Sequence, residues 1–128
     1  MDAKPLPPDD PANRPFWQGA KRAVLMLQRC LDCGQHRFPA ARYCVQCHGE
    51  RSEWVETSGR GVVESHCSFH KAYWPAFQSG VPYNVVQVRL DEGVRLFSNL
   101  VGVPREEIRS GMRVKACFEE MLVKFIPQ

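Results

Sequence analysis

From residue 83 onward apolar and polar residues alternate with the two-residue period of half-buried strands. Val86, Val88 and Leu90 point one way and Gln87, Arg89 and Asp91 the other. Asp91-Glu92-Gly93 forms a turn, and Val94–Leu100 returns as the second strand of a hairpin. Met112, Val114, Ala116 and Phe118 share one face of the next strand, and Leu122–Ile126 form a last short one. Between these pairs, Pro104–Ile108 suits one helical turn that Gly111 ends. Upstream, Ser58-Gly59-Arg60-Gly61 opens a long strand, Val62–His70. There the period places Val63, Ser65, Cys67 and Phe69 together, opposite Val62, Glu64, His66, Ser68 and His70.

The first half reads differently. Pro5, Pro7, Pro8 and Pro11 with Asp9 and Asp10 make residues 1–12 an expected disordered arm. Asn13 as N-cap with Pro15 in the first turn predicts a helix over 13–23. Phe16 and Trp17 are adjacent on it, about 100° apart. Either one of them faces a partner or ligand, or both pack inward. Val24–Arg29 reads as a strand leading into Cys30, and Ser52–Thr57 as another, with Trp54 and Val55 at a seam. Five strands after that seam, with a short helical turn between the third and fourth, match an OB-type barrel. The expected class is therefore mainly β: a helix at 13–23, a small unit over 24–52 and a five-stranded OB-fold domain over 53–128.

Cysteine spacing says what the small unit is. Cys30-x-x-Cys33 and Cys44-x-x-Cys47 are separated by ten residues, enough for a hairpin that brings four sulfurs to one point. A tetrahedral set of four thiolates suits zinc, and the spacing is that of a rubredoxin-like zinc ribbon. Gly34 and Gly49 stand where the chain reverses beneath the metal. A disulfide framework is the competing reading. The N-terminal residues contain no apolar signal-peptide run, so a reducing cytoplasm is the expected setting and zinc the expected cofactor. Four thiolates close the shell, which makes the metal structural and leaves His36 and His48 as turn residues.

Composition narrows the function further. The 128 residues carry a net charge of +3 with the two signs interleaved, which does not by itself argue for nucleic acid. No apolar run approaches the roughly 20 residues needed to cross a bilayer. Gly59-Arg60-Gly61 lacks the lysine of a phosphate-binding loop and the third glycine of a dinucleotide fingerprint. His66 and His70 stand about 13 Å apart on an extended strand, too far to share an ion. They read as surface histidines, with Cys67 as a core cysteine and Cys117 unpaired.

Taken in order, several motifs are similar to those of one family. They are Phe16-Trp17, Cys30-x-x-Cys33-Gly34, Phe38-Pro39-x-x-Arg42-x-Cys44-x-x-Cys47, Trp54, Ser58–Val63, Pro82-Tyr83, Leu90–Gly93 and Gly111-x-x-Val114. Residues 16–127 thereby resemble the zinc-ribbon plus OB-fold proteins associated with acyl-CoA metabolism. The resemblance implies an accessory subunit of a thiolase, thiolase-like aldolase or hydratase. The larger partner would carry the catalytic residues, and this chain would shape or complete the acyl-CoA thioester site, without turnover alone. A 2:2 heteromer is the expected assembly. Arg60, Lys71, Tyr73, Trp74 and Phe77, with Phe16 and Trp17, are the candidate ligand- or partner-binding residues. The 71–82 connection is either an interface or a loop folded onto its own core. The competing function is a single-stranded nucleic-acid-binding module, against which Glu64, Asp91 and Glu92 stand near the groove.

Overall fold

A computed structural model describes residues 11–70, 82–119 and 122–128. A 3-10 turn, Pro11–Asn13, leads into helix α1, Arg14–Lys21. Eight strands follow: β1 Met26–Cys30, β2 His36–Arg37, β3 Ser52–Glu56, β4 Arg60–Phe69, β5 Tyr83–Leu90, β6 Arg95–Ser98, β7 Arg113–Glu119 and β8 Leu122–Pro127.

The helix differs from the sequence expectation at both ends. Asn13 makes no side-chain cap. Its Oδ1 instead accepts the Ala40 N–H at 3.2 Å, so the side chain that would close the helix ties it to the ribbon loop. At the other end Ala23 N–H donates to the Ala20 carbonyl (3.1 Å) and Val24 N–H to that of Gly19 (2.9 Å), the paired bonds of a Schellman stop. That motif puts Ala23 in the left-handed region, at φ 60. Ala23→Gly should therefore raise stability by about 1 kcal/mol, read as a higher urea midpoint at unchanged m-value.

Strand β1 is the centre of a three-stranded antiparallel sheet ordered β2-β1-β3. The strand expected at the seam is its third member, paired with β1 from Met26↔Glu56 to Cys30↔Ser52. Leu27 is fully buried, and its polar neighbour Gln28 is buried too, at 9% exposure. The Gln28 Oε1 accepts from Arg37 Nε (2.8 Å) and the Ala41 N–H (2.9 Å), so a buried amide fixes the loop between the cysteine pairs.

The remaining strands form a sheet ordered β6-β5-β4-β7-β8. It closes on itself where the chain beyond β6 meets β8: Leu100 and Phe125 form a parallel bridge, with Val101 N–H on the Phe125 carbonyl at 2.8 Å. The strand order and this closure make the five strands an OB barrel. Phe125, Val63, Val86, Val88, Leu90, Leu100 and Val114 fill it, and Phe16, Leu25 and Leu27 belong to the same apolar cluster. Ribbon and barrel thus share one core.

Strand β4 corrects one expected face. A bulge between Val63 and Ser65 inserts an extra residue, so the alternation reverses. Val63 lies opposite Val88 in the core, but Ser65, Cys67 and Phe69 pair with Gln87, Val85 and Tyr83. Cys67, read as a core residue, is exposed, as are His66 and His70. Phe69 packs edge to face with Tyr83 at 5.4 Å between centroids.

Candidate metal centre

The four ribbon cysteines sit on two turns with the same hydrogen bonds. In the first, Cys30 N–H donates to the Gln35 carbonyl and Gly34 N–H to that of Cys30, both at 2.9 Å. In the second, Cys44 N–H donates to Gly49 (2.9 Å) and His48 N–H to Cys44 (2.8 Å). The fourth residue after each leading cysteine must take positive φ to make this turn. Gly34 does so at φ 81, and His48, not Gly49, does so at φ 62. Gly49 is small for another reason: a Cβ there would run into the Asp32 carboxylate. Asp32 is itself bonded to Arg51 Nε at 3.0 Å. Gly34→Ala should cost about 1 kcal/mol and His48→Gly should cost nothing or stabilise slightly, with competition against a chelator as the readout.

The sulfurs meet as the spacing requires. All four ligand atoms lie within 4.8 Å of one another. Cys30 to Cys47 and Cys33 to Cys44 are each 3.6 Å apart. A zinc–sulfur bond of about 2.3 Å places tetrahedral neighbours about 3.8 Å apart, so the arrangement fits the ion. At 3.6 Å the paired sulfurs are not bonded to each other, and all six cysteines are free.

Backbone N–H groups favour the thiolate form of the two leading cysteines. The N–H groups of Cys47 and then Gln46 point at the Cys44 sulfur and bring its pKa down to about 6. The Cys33 N–H does most to lower that of Cys30. Against the N–H groups of Gln35 and Gly49, burial and the neighbouring thiols hold Cys33 and Cys47 above the ordinary thiol range. Cys30 and Cys44 are buried and Cys33 and Cys47 exposed, so each turn offers one inner and one outer ligand. Four thiolates complete the shell and leave no position for substrate or water, which makes the zinc structural.

The other candidate residues are dispersed. Phe16 is 5% exposed and packs between Trp17 and Phe38, each ring centroid 4.9 Å away, so it belongs to the core. Trp17 is half-buried against the same cluster. Arg60 is exposed at the start of β4, opposite Lys115 of β7. Lys71, Tyr73, Trp74 and Phe77 lie outside the described residues. Two exposed groups went unnoticed in the sequence. Leu31 and Val45 follow the leading cysteine of each turn, and Val45 is 80% exposed. Phe97, 76% exposed, stands on the outer face of β6. Alternation through Val94, Leu96 and Leu100 already turns Phe97 outward.

Comparison with known proteins follows this division of the chain. Residues 17–53 match the profile described as ChsH2, rubredoxin-like zinc ribbon domain, and residues 54–119 that of ChsH2, C-terminal OB-fold domain. The chain belongs to the ChsH2 family.

It is 40% identical over 114 residues to a probable enoyl-CoA hydratase alpha subunit of Thermomonospora curvata, covering 87% of this chain and 35% of that protein. It is 31% identical over 107 residues to a DUF35 domain-containing scaffold protein of Methanocaldococcus jannaschii, covering 82% and 75%. The chain thus spans about a third of the first relative and three quarters of the second. Among solved structures it superposes on a chain of the Ltp2-ChsH2(DUF35) aldolase with a TM-score of 0.82 at 34% identity, covering 95% of this chain and 98% of that one. No helix among the described residues is long and apolar enough to cross a membrane.

Proposed function

We propose that this ChsH2-family chain is an accessory subunit that binds a hydratase-, aldolase- or thiolase-class partner and completes its acyl-CoA thioester site. The observation that carries the reading is the match to the Ltp2-ChsH2(DUF35) aldolase chain, which covers nearly all of both molecules. The end-to-end match to one component of an aldolase supports a component role for this chain, and we assign the chemistry to another subunit.

The site chemistry supports the same division of labour. The zinc shell is closed, His66 and Cys67 lie on the exposed half of β4, and His70 is exposed just past its end. Trp17 and Arg60, with Lys71, Tyr73, Trp74 and Phe77 of the β4–β5 connection, are the residues we assign to partner or ligand. The ribbon's role is mechanical: zinc holds β1, and β1 carries Leu27 into the core that supports the barrel.

Reconstitution tests the proposal. The zinc-loaded chain alone should not turn over acyl-CoA thioesters, whereas adding it to a partner subunit stripped of it should restore turnover. Acyl-CoA turnover by the chain alone would overturn the accessory reading.

A further inference from the structure

The outer face of β4–β6 has a composition that folding does not require. Register places Gln87 opposite Phe97 and Arg89 opposite Arg95. Opposed residues of an antiparallel pair are about 5 Å apart at Cα, and alternate residues of one strand about 7 Å. Phe97, Arg95, Arg89 and Gln87 therefore form a single patch. Phe97 is 76% exposed, beside two arginines on a barrel that already has a filled core.

Glu64, the residue at the bulge, organises the patch. Its Oε1 accepts Arg95 Nε at 2.7 Å, and its Oε2 lies 3.7 Å from Arg89 Nη1. The hydrogen bond from Arg95 lowers the pKa of this carboxylate below the ordinary glutamate value. One carboxylate thus holds two guanidinium groups side by side. Each has five N–H donors in a fixed plane, so one contact to Glu64 leaves most of them directed elsewhere. Arg60 adds a third cation at the base of β4. Two adjacent forks suit phosphate oxygens, and an exposed ring beside them suits the face of a base. This is also the face of the OB barrel, its second and third strands, on which ligands are held by stacking.

We infer that the outer face of β5 and β6 binds a phosphorylated purine nucleotide, with the base on Phe97 and phosphate on Arg95 and Arg89. Resting on the proposed function, the nucleotide is the phosphoadenosine end of coenzyme A. The thioester end would then extend toward the partner subunit, so this chain would grip the part of the substrate that does not react.

Titration of the isotope-labelled, zinc-loaded full chain, followed by amide NMR, tests this with four probes: coenzyme A, adenosine 3′,5′-bisphosphate, pantetheine and a short oligoadenylate. Coenzyme A and the bisphosphate should shift the amides of Gln87, Arg89, Arg95 and Phe97, and pantetheine should not. Phe97→Ala and the double variant Arg89→Ala/Arg95→Ala should each weaken coenzyme A by about tenfold while zinc content and the remaining spectrum stay unchanged. Shifts confined to another surface, or equal affinity in Phe97→Ala, would overturn the site. Oligoadenylate binding here about tenfold or more tighter than coenzyme A, falling steeply with salt, would overturn its assignment to coenzyme A. If partner capture succeeds while coenzyme A fails here, the accessory role stands and only this site falls.

Discussion

Cys44→Ser abolishes stoichiometric zinc binding at neutral pH and melts the ribbon sheet. Cys44 is one of the two buried ligands, and its thiolate is the one that backbone N–H groups stabilise most clearly, with a pKa brought to about 6. Serine cannot supply a thiolate, and three sulfurs hold zinc far less tightly. Structural zinc contributes roughly 10–16 kcal/mol of apparent binding free energy in zinc-finger peptides, comparable to the whole stability of a domain. A unit of this size has too little core to fold without its metal.

The damage should spread. Phe16, Leu25 and Leu27 belong to the same cluster as Val63 and Phe125, so losing the ribbon uncovers one side of the barrel. Metal analysis should find zinc absent, and thermal unfolding should begin well below that of the parent chain. Full zinc occupancy with an unchanged melting curve would refute the closed four-thiolate site.

Phe125→Ala is expected to cost about 3–5 kcal/mol, the other large effect. Phe125 has no exposed surface, and its backbone joins β8 to the segment after β6 through bonds to Asn99 (3.0 Å) and Val101 (2.8 Å). Truncation removes a ring and leaves a cavity where the sheet closes. Phe97→Ala is the internal control: the same side chain is deleted from an exposed position, and the change in stability should stay within about 0.5 kcal/mol. Urea titration of both variants makes the comparison. A cost below about 1 kcal/mol for Phe125→Ala would contradict a closed barrel with this core.

The metal centre was legible because coordination chemistry constrains spacing. Two Cys-x-x-Cys pairs leave few alternatives, and the 3.6 Å contacts between turns follow from that pattern. The barrel strands were legible for a related reason: one buried face forces alternation through Val86, Val88 and Leu90, all of them in the core. What the pattern could not show was an interruption of itself. The bulge after Val63 leaves no mark in a two-residue period, and so Ser65, Cys67 and Phe69 were assigned to the face of Val63.

Side chains with two competing local uses were also misread. Asn13 has the chemistry of a helix cap, but its oxygen takes the Ala40 N–H, a choice made by a loop 27 residues away. Gly49 signalled a left-handed turn residue, whereas His48 adopts that conformation and Gly49 makes room for Asp32. The Glu64 contacts with Arg89 and Arg95 join three strands, so only the folded sheet brings those groups together.

The central claim, an accessory subunit for acyl-CoA chemistry, is tested most directly by affinity capture of the tagged full chain from extract of its native cells. The bound proteins would be identified by mass spectrometry and the recovered complex assayed for acyl-CoA binding. The account predicts a larger hydratase-, aldolase- or thiolase-class subunit, recovered in amounts comparable to the chain and retaining acyl-CoA. Recovery of nucleic acid alone, released by salt, would contradict it.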